Sequence, residues 1–318
     1  MASSNYISKV AIVGAGGNSG RFMTDALLKN GKHTITALTR SDSSAKLPEG
    51  VIVKAVDYEK FQTLVDALRG QDALVITLSG HTPKETELQI INAAGEAGVP
   101  WILPNEWGPD TANEALVNDL FFFKNKVATR QAITDLGKSS YIAVCTGFWY
   151  EQSLAMPAGL GIDFANRAAV LYDDGETVVS TSTLAQLGRA VAALLSLPVK
   201  AQGSDAQTCL ETYRDQVVYI DSFNVSQKDM LESALRVTGT KQEDWTISRE
   251  SSHERFSTGM KEIKEGKHSS FPKIMSRVFF ADGGGNFASG KATMNALLGL
   301  PEESLDEATK LAMEKAMG

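Results

Sequence analysis

The sequence predicts an α/β protein built as a doubly wound parallel sheet with a smaller C-terminal substrate-binding domain. Three observations carry this. Short apolar runs alternate with segments of helical period through the first 150 residues. Those runs are continuously apolar, as expected of strands covered on both faces. The first of them opens into GAGGNSG (14–20), a glycine-rich turn placed between a strand and a helix.

The elements follow in order. VAIVG (10–14) is a buried strand, and Arg21 to Lys29 is a helix with Phe22, Ala26 and Leu27 on one face. Asn30-Gly31 stops it. TITALTR (34–40) and VIVKAVD (51–57) are the second and third strands. FQTLVDALRG (61–70) is a helix closed by Gly70, and ALVITLSG (73–80) is the fourth strand. ETELQIINAAGEAG (85–98) is the next helix, and VPWILPNEWG (99–108) is the fifth strand with its exit loop. A longer helix is expected over NDLFFFKNKVATRQAITDLG (118–137), then a sixth strand and exit over SYIAVCTGFWY (140–150). Beyond residue 151 the alternation loosens. SLAMPAGLGIDF (153–164) reads as a loop over a pocket, 169–197 as a turn at Asp174-Gly175, a β run and a helix, and 217–239 as one more strand and helix. The tail 253–318 reads as mainly helical, interrupted by the loop ADGGGNFASG (281–290). The domain expectation is 1–152 for the sheet domain, with a contribution from about 177–198, and 153–318 mainly for substrate.

Composition narrows the function classes. Of 318 residues, 43% are hydrophobic and 22% charged, the profile of a soluble globular chain. The net charge of −7 opposes a nucleic-acid-coating surface. No 18-residue apolar run predicts a membrane span, and MASSNYISK lacks the apolar core of a secretory signal, so a cytoplasmic protein is expected. Cys145 and Cys209 form no C-x-x-C pair, and His33, His81, His253 and His268 have no metal-ligand spacing, so no metal is expected.

In the glycine turn, Gly14 permits the tight bend, Gly17 lets backbone approach a diphosphate, and Gly20 lets the helix pack against the strand. The helix N-terminus then turns free N–H groups toward the phosphates, and Asn18 and Ser19 add polar contacts. The three-apart glycine spacing is that of short-chain dehydrogenase loops rather than G-x-G-x-x-G. Where a ribose-binding carboxylate would select NADH, the second strand ends in Arg40, a fork suited to a 2′-phosphate, with Lys46 to assist. The cofactor expected is therefore NADPH. Asp57 either lies by the adenine or caps the following helix. Thr77, Leu78 and Ser79 leave the fourth strand where the nicotinamide ribose would pass.

Taken together, GAGGNSG, Arg40, PNEWG (104–108) and FKNKVATRQAI (123–133) resemble the NmrA-like, isoflavone-reductase-like branch of atypical short-chain dehydrogenases. WILPNEWGPD (101–110), VFFADGGG (278–285) and LLGLPEESLDEATK (297–310) are most similar to fungal CipA-like oxidoreductases. The resemblance implies a Rossmann domain, a smaller substrate domain and NADPH between them. It also implies a catalytic lysine in a K-x-x-x-R helix, which aligns Lys126 with Arg130. Lys124 competes for the role, but residues two apart lie about 200° apart on a helix, so only one faces the site. No tyrosine is followed four residues later by lysine, so the Tyr-x-x-x-Lys chemistry of the main dehydrogenase group is not expected.

Further pocket candidates follow the strand ends: Asn105 and Phe148 toward the cofactor, and Glu106, Trp107, Trp149 and Tyr150 toward an aromatic substrate. Phe121, Phe122 and Phe123 read as helix core or a dimer surface. The resulting expectation is an NADPH-dependent reductase of a small aromatic or conjugated molecule, monomeric or homodimeric, with no nucleic-acid or membrane partner. The alternative is a non-catalytic NAD(P) redox-sensing regulator of the NmrA type.

Overall fold

The computed structural model describes residues 5–80, 82–201 and 208–318, so Met1–Ser4 of the N-terminal segment and His81 fall outside it. The first half runs β1 (Lys9–Val13), α1 (Gly20–Asn30), β2 (Thr34–Arg40), β3 (Ile52–Val56), α2 (Phe61–Leu68), β4 (Ala73–Ile76), α3 (Lys84–Ala97) and β5 (Trp101–Leu103). It continues through α4 (Glu114–Asp119), α5 (Phe121–Asp135), β6 (Ser140–Cys145), β7 (Phe148–Trp149) and α6 (Tyr150–Leu154). Then come α7 (Pro157–Leu160), β8 (Ile162–Asp163), β9 (Ala168–Tyr172), β10 (Val179–Ser182) and α8 (Leu184–Leu195). The chain closes with β11 (Gln216–Tyr219), β12 (Phe223–Val225), α9 (Gln227–Thr238), β13 (Thr246–Glu250), α10 (Ser252–Lys264), α11 (Phe271–Ile274) and α12 (Leu305–Met317).

Seven strands form a sheet in the order β11-β6-β5-β4-β1-β2-β3, with every pairing parallel. The order reverses direction at β1, which lies between β2 and β4. This is the switch point where a crevice opens at the strand C-termini. Alternate side chains of β1 point to opposite faces. Val10 and Ile12 join Met23 and Leu27 of α1 and Leu187, Val191 and Leu194 of α8. Ala11 and Val13 join Leu64 and Leu68 of α2 and Ile90, Ile91 and Ala94 of α3. The whole apolar run is thus buried, as its lack of alternation implies. The buried face of α1 is centred on Met23 and Leu27, whereas Phe22 and Ala26 are only partly covered.

The C-terminal half contributes to this layer twice. β11 extends the sheet beside β6, and α8 packs across α1. The close approach depends on Gly188, where an added Cβ would lie 2.3 Å from the Phe22 carbonyl oxygen. A second hydrophobic cluster gathers α6, α9, α12 and the aromatic residues Tyr150, Phe223, Trp245 and Phe279. Two three-stranded sheets, β12-β10-β7 and β13-β9-β8, accompany it. Among the described residues no helix is long and apolar enough to cross a membrane.

Two expectations change, and one strand falls where the sequence pattern predicts none. The single helix over 118–137 is two helices, because Leu120 is extended (φ −101°, ψ 91°) and the Asn113 side chain accepts from Ala115 and Leu116 N–H to start a separate α4. The 153–164 segment contains the short α7 and β8 as well as loop. Residues 246–250, which carry no clear β pattern, form a strand because β9 supplies a parallel partner.

Gly188→Ala should lower stability by about 1–3 kcal/mol, since the obstructing atoms are backbone and the two helices must separate. The thermal unfolding midpoint measures this. Gly290→Ala, where nothing lies within 4 Å of the new Cβ, is the control expected to leave the midpoint in place.

Candidate functional site

The glycine turn is built by close backbone packing at the end of β1. Gly14 has φ +81°, and a Cβ there would lie 2.1 Å from the Thr77 carbonyl oxygen. A Cβ on Gly20 would lie 2.0 Å from the Gly14 carbonyl oxygen. Gly17 N–H donates to that same oxygen at 2.9 Å. The Thr77 hydroxyl is 3.0 Å from both the Val13 and Gly14 carbonyls, so it clamps the turn to β4 instead of remaining open to a ligand. α1 starts without a side-chain cap at Ser19; Arg21 and Phe22 N–H bond the Gly17 and Ser19 carbonyls, which among the described residues leaves the N–H groups of Asn18, Ser19 and Gly20 for an external acceptor. Asn18 is exposed beside them. Uncapped N–H groups at the positive end of a helix, over a turn with little side-chain bulk, fit a diphosphate.

Arg40 ends β2 with its side chain 64% exposed and Asp42 3.6 Å away. No helix intervenes between β2 and β3. The connecting loop instead passes over the glycine turn, where a Cβ on Gly16 would lie 2.9 Å from Ala45. That brings the exposed Lys46 to the same end of the sheet as Arg40. Asp57 does not cap α2, which starts after Lys60 without a side-chain cap; it braces the turn before that helix. Its carboxylate meets Lys60 at 3.0 Å and accepts from Glu59 N–H at 3.0 Å, and these partners hold it below the usual carboxylate range. Leu78 is half-buried, with its carbonyl accepting from the Asn105 side chain at 3.0 Å, and Ser79 is exposed.

A cavity of about 440 Å³ lies beyond the ends of β5 and β6, between them and the C-terminal half. Asn105, Glu106, Trp107, Lys126, Phe148 and Trp149 all line it. Lys126 is one of two ionisable residues on its wall, the other being Glu106, and is the one cation there among the described residues. Lys124 points to solvent, so α5 turns Lys126 and not Lys124 toward the cavity. The Lys126 ammonium lies 3.5 Å from Glu87 of α3, whose other carboxylate oxygen accepts from Asn105 N–H at 3.1 Å. One turn further along α5, Arg130 donates to Glu106 at 2.7 Å and to the Thr111 hydroxyl at 2.8 Å. The Thr111 hydroxyl donates in turn to Glu106. Burial pushes the Glu106 carboxyl up, opposed by Arg130 and Thr111. Both bonds fall on Oε2 of Glu106, while its Oε1 is buried without a hydrogen-bond partner among the described residues. Trp107 keeps its ring on the cavity while its indole N–H donates to the Ile76 carbonyl at 2.8 Å.

Two expectations about aromatic residues are corrected. Tyr150 does not wall the cavity. It is fully buried as the first residue of α6, its hydroxyl 2.8 Å from Thr309 and its ring edge-on to Phe223. The chain turns from strand to helix between Trp149 and Tyr150, which sends the two side chains to different places. Conversely, Phe122 and Phe123 line the cavity, Phe123 while remaining in the core as expected and Phe122 while packing against Phe271, and Phe121 is exposed.

Sequence reasoning placed 153–164, whose Ser153, Met156 and Gly159 line the cavity, over a pocket, but missed Glu87 and the rest of the far wall, formed by Phe271, Pro272 and Met275. Glu87 looks like an ordinary acidic residue in the first turn of a helix. The far-wall residues are hydrophobic side chains in segments with no chemical motif, so no local signal distinguishes them from core.

Comparison with known proteins agrees with this architecture. The model of the NmrA-like family matches residues 7–181. An oxidoreductase of Aspergillus flavus, aprR, is 28% identical over 305 residues, covering 94% of this chain and 96% of that protein. Among solved structures, leucoanthocyanidin reductase from Vitis vinifera superposes with a TM-score of 0.74 at 16% identity, covering 96% of this chain and 100% of that one. The NADPH-dependent quinone oxidoreductase of Escherichia coli, solved with NADPH, gives a TM-score of 0.67 at 19% identity, covering 94% and 98%. The seven-stranded sheet, its uncapped glycine turn at the switch point and the matched family model lead to one assignment: this chain belongs to the NmrA-like family.

Proposed function

We propose that the protein is an NADPH-dependent reductase of a small aromatic or conjugated molecule, with Lys126 as its catalytic acid. The observation that carries this reading is a lone ammonium on the wall of an aromatic cavity, connected to the glycine turn through the strand exits. Asn105 makes the connection, lining the cavity while holding the Leu78 carbonyl on the exit of β4. The names of the similar proteins, an oxidoreductase and NADPH- or flavonoid-type reductases, support the same chemistry.

In this reading, Gly14, Gly17 and Gly20 with the N–H groups at Asn18 and Ser19 hold the diphosphate. Arg40, assisted by Lys46, takes the 2′-phosphate. Thr77 shapes the turn, while Leu78, Ser79, Asn105 and Phe148 border the nicotinamide end. Bound NADPH supplies hydride. Lys126 donates a hydrogen bond and then a proton to the substrate oxygen that gains charge. Trp107, Trp149 and Phe122 give the substrate ring an apolar wall. We assign residues 1–152, with 177–198, to cofactor binding and 153–318 mainly to substrate; the packing of α8 on α1 supports the crossing contribution.

Arg40→Ala should weaken NADPH binding about tenfold or more and leave NADH unmoved, because only NADPH carries the 2′-phosphate. Titration of both cofactors measures this, and equal weakening would remove the assigned role. Asp42→Ala should tighten NADPH by freeing the guanidinium from its neighbour.

Lys126→Ala should lower kcat by about a hundredfold or more with NADPH affinity retained. NADPH oxidation with a panel of quinones, enones and aromatic ketones is the assay. Tight cofactor binding with no turnover of any panel member would support the redox-sensing alternative.

A further inference from the structure

Two cations lie on one face of α5, each matched by its own buried carboxylate, and of the two only Lys126 lines the cavity among the described residues. Lys126 and Arg130 are four residues apart and so share that face. Arg130 is paired with Glu106, whose side chain is 1% exposed. Lys126 is paired with Glu87, whose side chain is 9% exposed and lies behind the ammonium rather than on the cavity lining. Glu87 is fixed from a third side by Asn105 N–H, so its carboxylate joins α3, the β5 exit loop and α5. The remaining lining is dominated by aromatic, methionine, proline and glycine residues.

This arrangement has a consequence for ligand charge. An ammonium alone in an apolar cavity attracts carboxylates and phenolates. An ammonium already neutralised from behind still offers N–H groups, but gives an anion little net attraction in return for its lost hydration. An anion entering would also meet the negative charge of Glu87 across Lys126. An uncharged carbonyl or quinone oxygen loses far less hydration and still receives the hydrogen bond.

We infer that Glu87 is a specificity-determining residue that cancels the charge of Lys126, so that the cavity takes uncharged aromatic carbonyl compounds and excludes aromatic carboxylates. Glu87 also positions Lys126, since the tether fixes where the ammonium points. The inference rests on the assignment of this cavity as the substrate site, but it concerns binding and can be tested apart from turnover.

The test uses 1,4-naphthoquinone and 2-naphthoate as probes, with binding to the full chain read by calorimetry. Glu87→Gln keeps the side-chain volume and an oxygen acceptor for Asn105 N–H while removing the charge. It should tighten 2-naphthoate about tenfold or more and leave naphthoquinone affinity within about twofold. Glu87→Asp, which restores the charge, should return the discrimination. Lys126→Met in the Glu87→Gln background should abolish the gained naphthoate affinity, showing that it comes from the unmasked ammonium. Equal naphthoate affinity in the native protein and Glu87→Gln, with both folded by circular dichroism, would overturn the inference. Altered discrimination in a protein that turns over no substrate would uphold it while the reductase reading fell. Turnover with unaltered discrimination would do the reverse.

Discussion

The contact on which the site depends is the backbone approach of the glycine turn to β4. Gly14 and Gly20 pack so closely that a methyl on either would overlap the Thr77 or Gly14 carbonyl. The Thr77 hydroxyl closes the same junction from the side of β4. This junction lies at the one place in the sheet where the strand order reverses. It determines the start of α1, and hence the direction of the uncapped N–H groups. It also determines where the β4 exit emerges, and so where Leu78 meets Asn105 and the cavity begins. The burial of β1 on both faces reinforces it, because the strand cannot shift without disturbing two hydrophobic clusters.

The second organising feature is α5, which carries both the family-type K-x-x-x-R pattern and two of the cavity's aromatic side chains, Phe122 and Phe123. Lys126 and Arg130 are anchored by carboxylates from different elements, α3 and the β5 exit loop. The helix is thus located by charge matching on one side. Phe122 packing on Phe271 joins it to the C-terminal half on the other. Arg277 extends this connection: it is almost fully buried and bonds both Asp119 of α4 and Asp282 of the tail. The wall segment between Phe271 and Phe280 is therefore tied to the helix pair that presents Lys126.

Legibility in the sequence followed the range of the interactions involved. The inner strands β1, β4 and β5 were readable because double-sided burial demands an unbroken apolar run, whereas the edge strand β3, apolar in sequence, is exposed at Ile52 and Val53. Helix ends at Gly31 and Gly98 were readable because both adopt left-handed backbone that glycine favours. Boundaries were less secure where a non-local partner decided them. The strand at Thr246–Glu250, paired with β9, is of this kind, whereas the break at Leu120 is local, set by its extended backbone and the Asn113 cap. The resemblance placed Lys126 correctly on the cavity side of its helix, whereas Tyr150 was misplaced because one backbone turn after Trp149 redirects it into the core.

What the sequence by itself determined was the layered sheet, the glycine turn at its switch point, and an arginine in place of a carboxylate at the end of β2. These are short-range features, dictated by backbone geometry and hydrophobic period. Only the tertiary structure decided which groups remain available for chemistry. It engaged Glu106 with Arg130, 24 positions along the chain. It turned Phe122 and Phe123 inward, and brought Glu87 from a helix 39 positions away to the ammonium of Lys126. The physical reason is that a side chain's chemistry depends on its partners and its access to water, and both are set by elements remote in the chain.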